Sequence, residues 1–227
     1  MTRTIDAKSL EDAIVRNAAP TLAGIKPACL FTFPGAFFGG VDSASARSAF
    51  VAALELCEQQ MAWAGVHARV LVWRGCGALV LVYRAAALME WLANPRASVP
   101  LAREGYPVGN LDGCLVHLAN RIAARGKVAA SACAPDLSAY EERSCNAGRC
   151  SMRFPHEIGF FLGYPYADVE AFITHEGRDY LIFGAWKVYF DVPGALLAFE
   201  RLREVTSLSV RHLESGASLR DLVRSAA

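Results

Sequence analysis

The sequence predicts an α+β fold: a small, mostly antiparallel sheet with a β-hairpin, covered by several helices and organised as a single domain over residues 1–227. Three observations carry that prediction. "ARVLVWRGCGALVLVYR" sets two β-branched runs on either side of Gly75-Cys76-Gly77, the pattern of a hairpin. Apolar residues recur at helical spacing elsewhere, at Phe50, Leu54, Cys57 and Met61 and again at Leu111, Leu115, Leu118 and Ile122. Strands and helices do not alternate one for one, which argues against a parallel α/β sheet.

Each element has a local reason. Ser9, with Asp12 three residues on, resembles a capping box ahead of Leu10, Ile14 and Val15, and Pro20 is expected to end that helix. "ACLFTF" reads as a strand that "PGAFFGG" breaks, and Asp42 or Ser43 caps the helix bearing Phe50. After the hairpin, a helix from Ala85 to Ala93 stops before Asn94-Pro95, and a short turn leads to "GYPVGN". The helix of Leu111 comes next. Gly126 to Cys150 loses its periodicity and reads as an inserted, partly mobile loop with a short helix around Leu137 to Arg143. Helices over Pro155 to Leu162 and Tyr166 to Thr174 precede "DYLIFGAWKVYF", a strand pair broken at Gly184-Ala185. Pro193 opens the helix "GALLAFERLREVTSL", and "SLRDLVRSA" closes the chain as a short helix. "GYP" occurs at Gly105 and Gly163, each time expected just before a helix whose entry the proline fixes.

Charge narrows the partners. The 23 basic and 22 acidic residues are interspersed, so no face for phosphate neutralisation can be read and nucleic acid is not an expected partner. The amino terminus lacks a signal-peptide pattern, and the most apolar region, Val70 to Ala93, is interrupted by Arg74, Arg84 and Glu90. These features predict a soluble, cytoplasmic protein without a membrane partner. Seven cysteines, mostly inside apolar segments, do not suggest a disulfide framework.

Read in order, "APTLAGIKPACLF", "VYR", "EGYPVGNLDGCLVHLANRI", "FPHEIGFFLGYPYADVEAFI" and "GAWKVYFD" resemble a bacterial family catalogued as domain of unknown function 3793. The resemblance covers Asn17 to about Thr206 apart from the insertion. It implies a stand-alone cytoplasmic protein, transfers an expectation about shape, and carries no assigned activity. Similar sequences often have a His-Cys pair before "APTLAG" and a cysteine in the helix after "WKVY"; here those positions are Asn17-Ala18 and Val205. If the family uses those thiols for a metal or redox step, this chain has lost that step or moved it into the insertion.

The residues themselves offer three kinds of chemistry. With Pro155 at a first helical position, His156 and Glu157 would both lie in the first turn, where amides and dipole favour an anion. That suits Glu157, whereas an imidazole there tends to neutrality and would serve as acceptor, base or ligand, or simply bond to backbone. Lys187 and Tyr189 would share one face of a strand, with Trp186, Val188 and Phe190 on the core face, and Glu157 or Asp168 would come within reach of Lys187. Lys26 and Asn110 sit in turns, where binding groups collect, while Arg84 at a strand end is explained by surface solvation. Cys145 and Cys150, with Cys133 upstream and His156 downstream, have a spacing that permits a metal without singling one out.

Several mechanisms are excluded. "HEIGF" has Phe160 where a zinc protease needs its second histidine, and the hairpin glycines make no dinucleotide fingerprint. Nor is there a nucleophile elbow, a phosphate loop or an acidic calcium loop. Three functional classes remain: a module binding a small, anionic ligand or cofactor in a cleft at His156; an enzyme using His156 as base with Glu157 or Asp168 orienting it; and a homo-oligomeric interaction protein presenting Phe37, Phe38, Phe160 and Phe161.

Overall fold

The computed structural model describes residues 6–38, 42–75, 77–131 and 154–223, with side chains placed in all of these except 126–131. It is α+β. Strands β1 (Ala28–Pro34), β2 (Val66–Arg74) and β3 (Gly77–Arg84) form an antiparallel sheet in the order β1-β3-β2. β3 is central because the β2–β3 hairpin pairs along one edge while Phe31 faces Val80 across the other. Gly77 is required there, since a Cβ would stand 2.5 Å from the Phe33 carbonyl oxygen.

Alternation along β3 builds two cores. Ala78, Val80 and Val82 face α1 (Ala7–Leu22), α2 (Ser43–Met61) and α9 (Leu219–Leu222). Leu79 and Leu81 face the layer made by α3 (Ala85–Ala93), α4 (Pro95–Arg103), α5 (Leu111–Ser131), α6 (Ile158–Phe161) and α7 (Tyr166–Thr174). A second hairpin, β4 (Ile182–Phe183) with β5 (Lys187–Val188), packs on the start of α8 (Val192–Glu214) through Val188, Ala195 and Phe199. Among the described residues no helix is long and apolar enough to cross a membrane.

Several boundaries move from their expected places, each for a physical reason. Asp6, not Ser9, caps α1, its side chain accepting from the Ser9 amide at 2.7 Å. Pro20 lies inside α1 instead of ending it. Two of the last carbonyls, Thr21 and Leu22, accept from the Arg84 guanidinium at 2.7 Å each, so the final turn is held from outside the helix. Arg84 is therefore a buried internal cap, 4% exposed, and not the solvated strand end that its position suggests. Asn94 and Pro95 end one helix and also start another, α4, because Asn94 accepts from the Arg96 amide and Pro95 occupies the first turn. α5 runs on through Gly126 to Ser131, past the expected loop boundary. α6 is only one turn, with Pro155 to Glu157 ahead of it as a separate turn.

Three of the four phenylalanines expected at a subunit interface are core. Phe37, Phe160 and Phe161 are fully buried, and only Phe38 is exposed, beneath Arg47.

Candidate ligand-binding site

The two "GYP" turns work through their glycines. Gly105 and Gly163 both adopt left-handed φ (82° and 66°) just past the ends of α4 and α6, the usual helix stop, and each following tyrosine turns inward. At Gly163 the fit is tight. A Cβ there would lie 2.4 Å from the ring of Pro27, so only glycine lets this turn press against the α1–β1 connection. The consequence is a meeting of Tyr164 with Lys26, whose Nζ lies 4.9 Å from the centre of the phenol ring.

Lys26 is half-buried, and among the described residues its ammonium has neither a carboxylate partner nor a hydrogen-bond acceptor. Burial pushes its pKa down, with the Cys29 thiol opposing as a lesser influence. Burial likewise pushes the Tyr164 phenol up to about 12, again with Cys29 as a smaller contributor, and its hydroxyl bonds to no described residue. Two donors of different acidity thus stand together in an enclosed setting. Such an ammonium favours an anionic guest, and such a phenol stays protonated to donate.

The hairpin closes the far side of Tyr164. Trp186 leans on its ring at 5.6 Å, and the indole Nε1–H donates to Asp168 Oδ2 at 2.8 Å. Asp168 Oδ1 accepts from the Tyr189 amide at 2.9 Å. With both oxygens engaged, Asp168, 6% exposed in the first turn of α7, is a clasp for β5, not a partner for Lys187. Lys187 turns elsewhere: its Nζ donates to the Gly177 carbonyl at 2.7 Å and lies over Tyr180 (4.7 Å) and Phe172 (5.7 Å). Tyr189 is buried, with its ring stacked on His175, while Phe190, expected in the core, is 64% exposed. The two-residue strand is too short to hold the expected alternation.

His156 and Glu157 separate. The imidazole is half-buried, edge-on to Phe172 at 5.3 Å, and makes no hydrogen bond with a described residue. It therefore shares Phe172 with Lys187. Two surface hollows, about 400 Å³ along α8 and about 310 Å³ between α2 and β2, touch neither residue. Glu157 points inward, 4% exposed, accepting from Tyr106 Oη at 2.9 Å and Arg121 Nε at 2.7 Å, while Arg121 Nη1 also pairs with Glu104 at 2.6 Å. Burial, then the charge of Glu157, pushes the Tyr106 phenol well above its ordinary value. The glutamate is thus the anion of a buried network and does not orient His156. Asn110 is a helix cap, its Oδ1 accepting from the Gly113 amide at the start of α5. Cys133, Cys145 and Cys150 lie outside the described residues, among which no group of three or more metal-binding side chains occurs.

Of the expected site residues, then, Lys26, Asp168 and Tyr189 connect through Tyr164 and Trp186. His156 and Lys187 meet only across Phe172, and Glu157 and Asn110 serve the packing of α5. Sequence reading missed Tyr164 and Cys29. The repeated "GYP" and the adjacency of Cys29 to Lys26 were the available signals.

A family model described as "Protein of unknown function (DUF3793)" matches residues 14–223, and the chain belongs to that family. Comparison with curated proteins and with solved structures returns no match.

Proposed function

We propose that this member of the DUF3793 family is a binding module for a small organic anion, held by the Lys26 ammonium with the Tyr164 hydroxyl as second donor. One observation carries the reading: both donors are enclosed, and neither is bonded to a described residue. Enclosing an ammonium without a counter-charge costs free energy that a bound carboxylate or phosphate would offset. Asp168 and Trp186 contribute by fixing the hairpin behind Tyr164. The buried, unbridged thiols of Cys29, Cys57 and Cys114 suit a reducing compartment, so a cytoplasmic location accompanies the proposal. Mixed surface charge supports neither nucleic acid nor an anionic membrane as the partner.

Thermal melting with acetate, benzoate and inorganic phosphate tests this. A ligand at a hundred times its dissociation constant stabilises by about 2.7 kcal/mol. At least one anion is expected to raise the melting temperature of the wild type but not of Lys26→Met. Equal shifts in both proteins would remove Lys26 from the site.

A further inference from the structure

α8 is a 23-residue helix that buries only Ala195, Phe199 and Leu213. Those three, with half-buried Leu202 and Thr206, lie on the side that packs against α1 and the hairpin. At 3.6 residues per turn, Leu197, Arg201, Glu204 and Leu208 fall on the opposite side, in one narrow line. Their spacing of four, three and four residues is that of a coiled-coil seam. All four are exposed, the leucines by 70% and 46%, and neither Arg201 nor Glu204 forms an ion pair with a described residue.

The order of the four is self-complementary. In an antiparallel pair of α8 helices, a two-fold axis between Leu202 and Arg203 sets Leu197 opposite Leu208 of the other copy and Arg201 opposite its Glu204. Each side then makes two apolar contacts flanking two ion pairs. A parallel arrangement in register would oppose Arg201 to Arg201 and Glu204 to Glu204, so the charges specify direction as well as partner.

We infer that the outer face of α8 is a self-association surface on which two copies of this chain pair antiparallel through Leu197, Arg201, Glu204 and Leu208. The pairing is independent of the anion site and stands or falls without it.

Sedimentation over a concentration series provides the test. The wild type is expected to pass from monomer to dimer with rising concentration. Arg201→Glu and Glu204→Arg should each weaken association at least tenfold, because like charges then meet across the axis. An equimolar mixture of these two variants should regain it, since every Arg again faces a Glu, and so should Arg201→Glu/Glu204→Arg. Because the mixture contains only chains that fail alone, its recovery separates pairing from damage to the helix. A wild type that stays monomeric throughout, a dimer indifferent to both single changes, or a mixture that does not recover would overturn the proposal.

Discussion

Asp168 Oδ2 accepts a hydrogen bond from the indole of Trp186 at 2.8 Å, and this contact, with the Tyr189 amide on Oδ1, joins α7 to the β4–β5 hairpin. Both donors are N–H groups, so the acceptor must offer two lone-pair oxygens. Asp168→Asn turns an NH2 toward one of them and leaves a buried donor unmatched, at a cost of about 1–3 kcal/mol. Trp186→Phe deletes one bond and leaves the other, and urea unfolding should find it the milder change at the clasp itself. An Asn variant as stable as the wild type would show that the hairpin is held by packing alone.

The network around Glu157 should respond in a graded way. Tyr106→Phe removes one neutral donor and is expected to cost about 1 kcal/mol. Glu157→Ala leaves the Tyr106 hydroxyl and part of the Arg121 charge uncompensated, and the expected loss is about 3 kcal/mol. Water can still reach Arg121, whose side chain is a quarter exposed, which keeps the loss from being larger. Equal losses for the two variants in denaturant unfolding would contradict a charge-centred network.

Gly163→Ala should strike the site and the stability together. The left-handed φ disfavours alanine, and the added methyl meets Pro27. A loss above about 1 kcal/mol is expected. Tyr164 fluorescence or chemical shifts should move with it. Full stability with an unmoved Tyr164 would mean that the α1–β1 turn yields freely.

Alkaline pH separates the enclosed groups by sign. Burial pushes the Cys57 thiol up to about 12 from 9.0 and the Tyr164 phenol up to about 12 from 10.0. The folded state therefore holds protons that the unfolded chain has released, and stability falls by about 1.4 kcal/mol per unit for each group, from pH 9 toward 12 for Cys57 and from pH 10 toward 12 for Tyr164. Lys26 has the opposite sign. Its folded pKa is depressed, so its penalty is fully present below the folded midpoint and is relieved as pH climbs from there to 10.5. Lys26→Met is accordingly expected to be more stable than the wild type at pH 7, with the advantage shrinking toward pH 10.5. Unfolding at pH 7, 8.5 and 10 checks this, and a Met variant less stable at pH 7 would assign Lys26 a structural role.

The elements legible in the sequence were those that periodicity and turn chemistry specify. The Gly75–Gly77 hairpin, the α2 and α5 stripes, and the α7 boundaries at Tyr166 and Thr174 all come from local patterns. What stayed hidden depends on distant partners. Pro20 stays inside α1, and the turn after it is held by Arg84, more than sixty residues away, which takes the carbonyls of Thr21 and Leu22. Asn94-Pro95 reads as a stop because a cap and a stop use the same residues. The site shows the same division. Lys26 was recognisable as a turn cation, but its enclosure comes from Tyr164 across the Gly163–Pro27 contact, which no spacing reports. Glu157 had a sufficient local explanation at a helix start, and its real partners on α5 and after α4 were invisible for that reason.

The most direct measurement is the titration of the Lys26 side chain by NMR, in the presence and absence of the anion that raises the melting temperature. A midpoint below the ordinary lysine value of 10.5 that climbs when the anion is added, together with affinity that weakens as pH passes that midpoint, is the predicted result. A Lys26 that titrates like a solvated lysine and does not move with any anion tested would contradict the account.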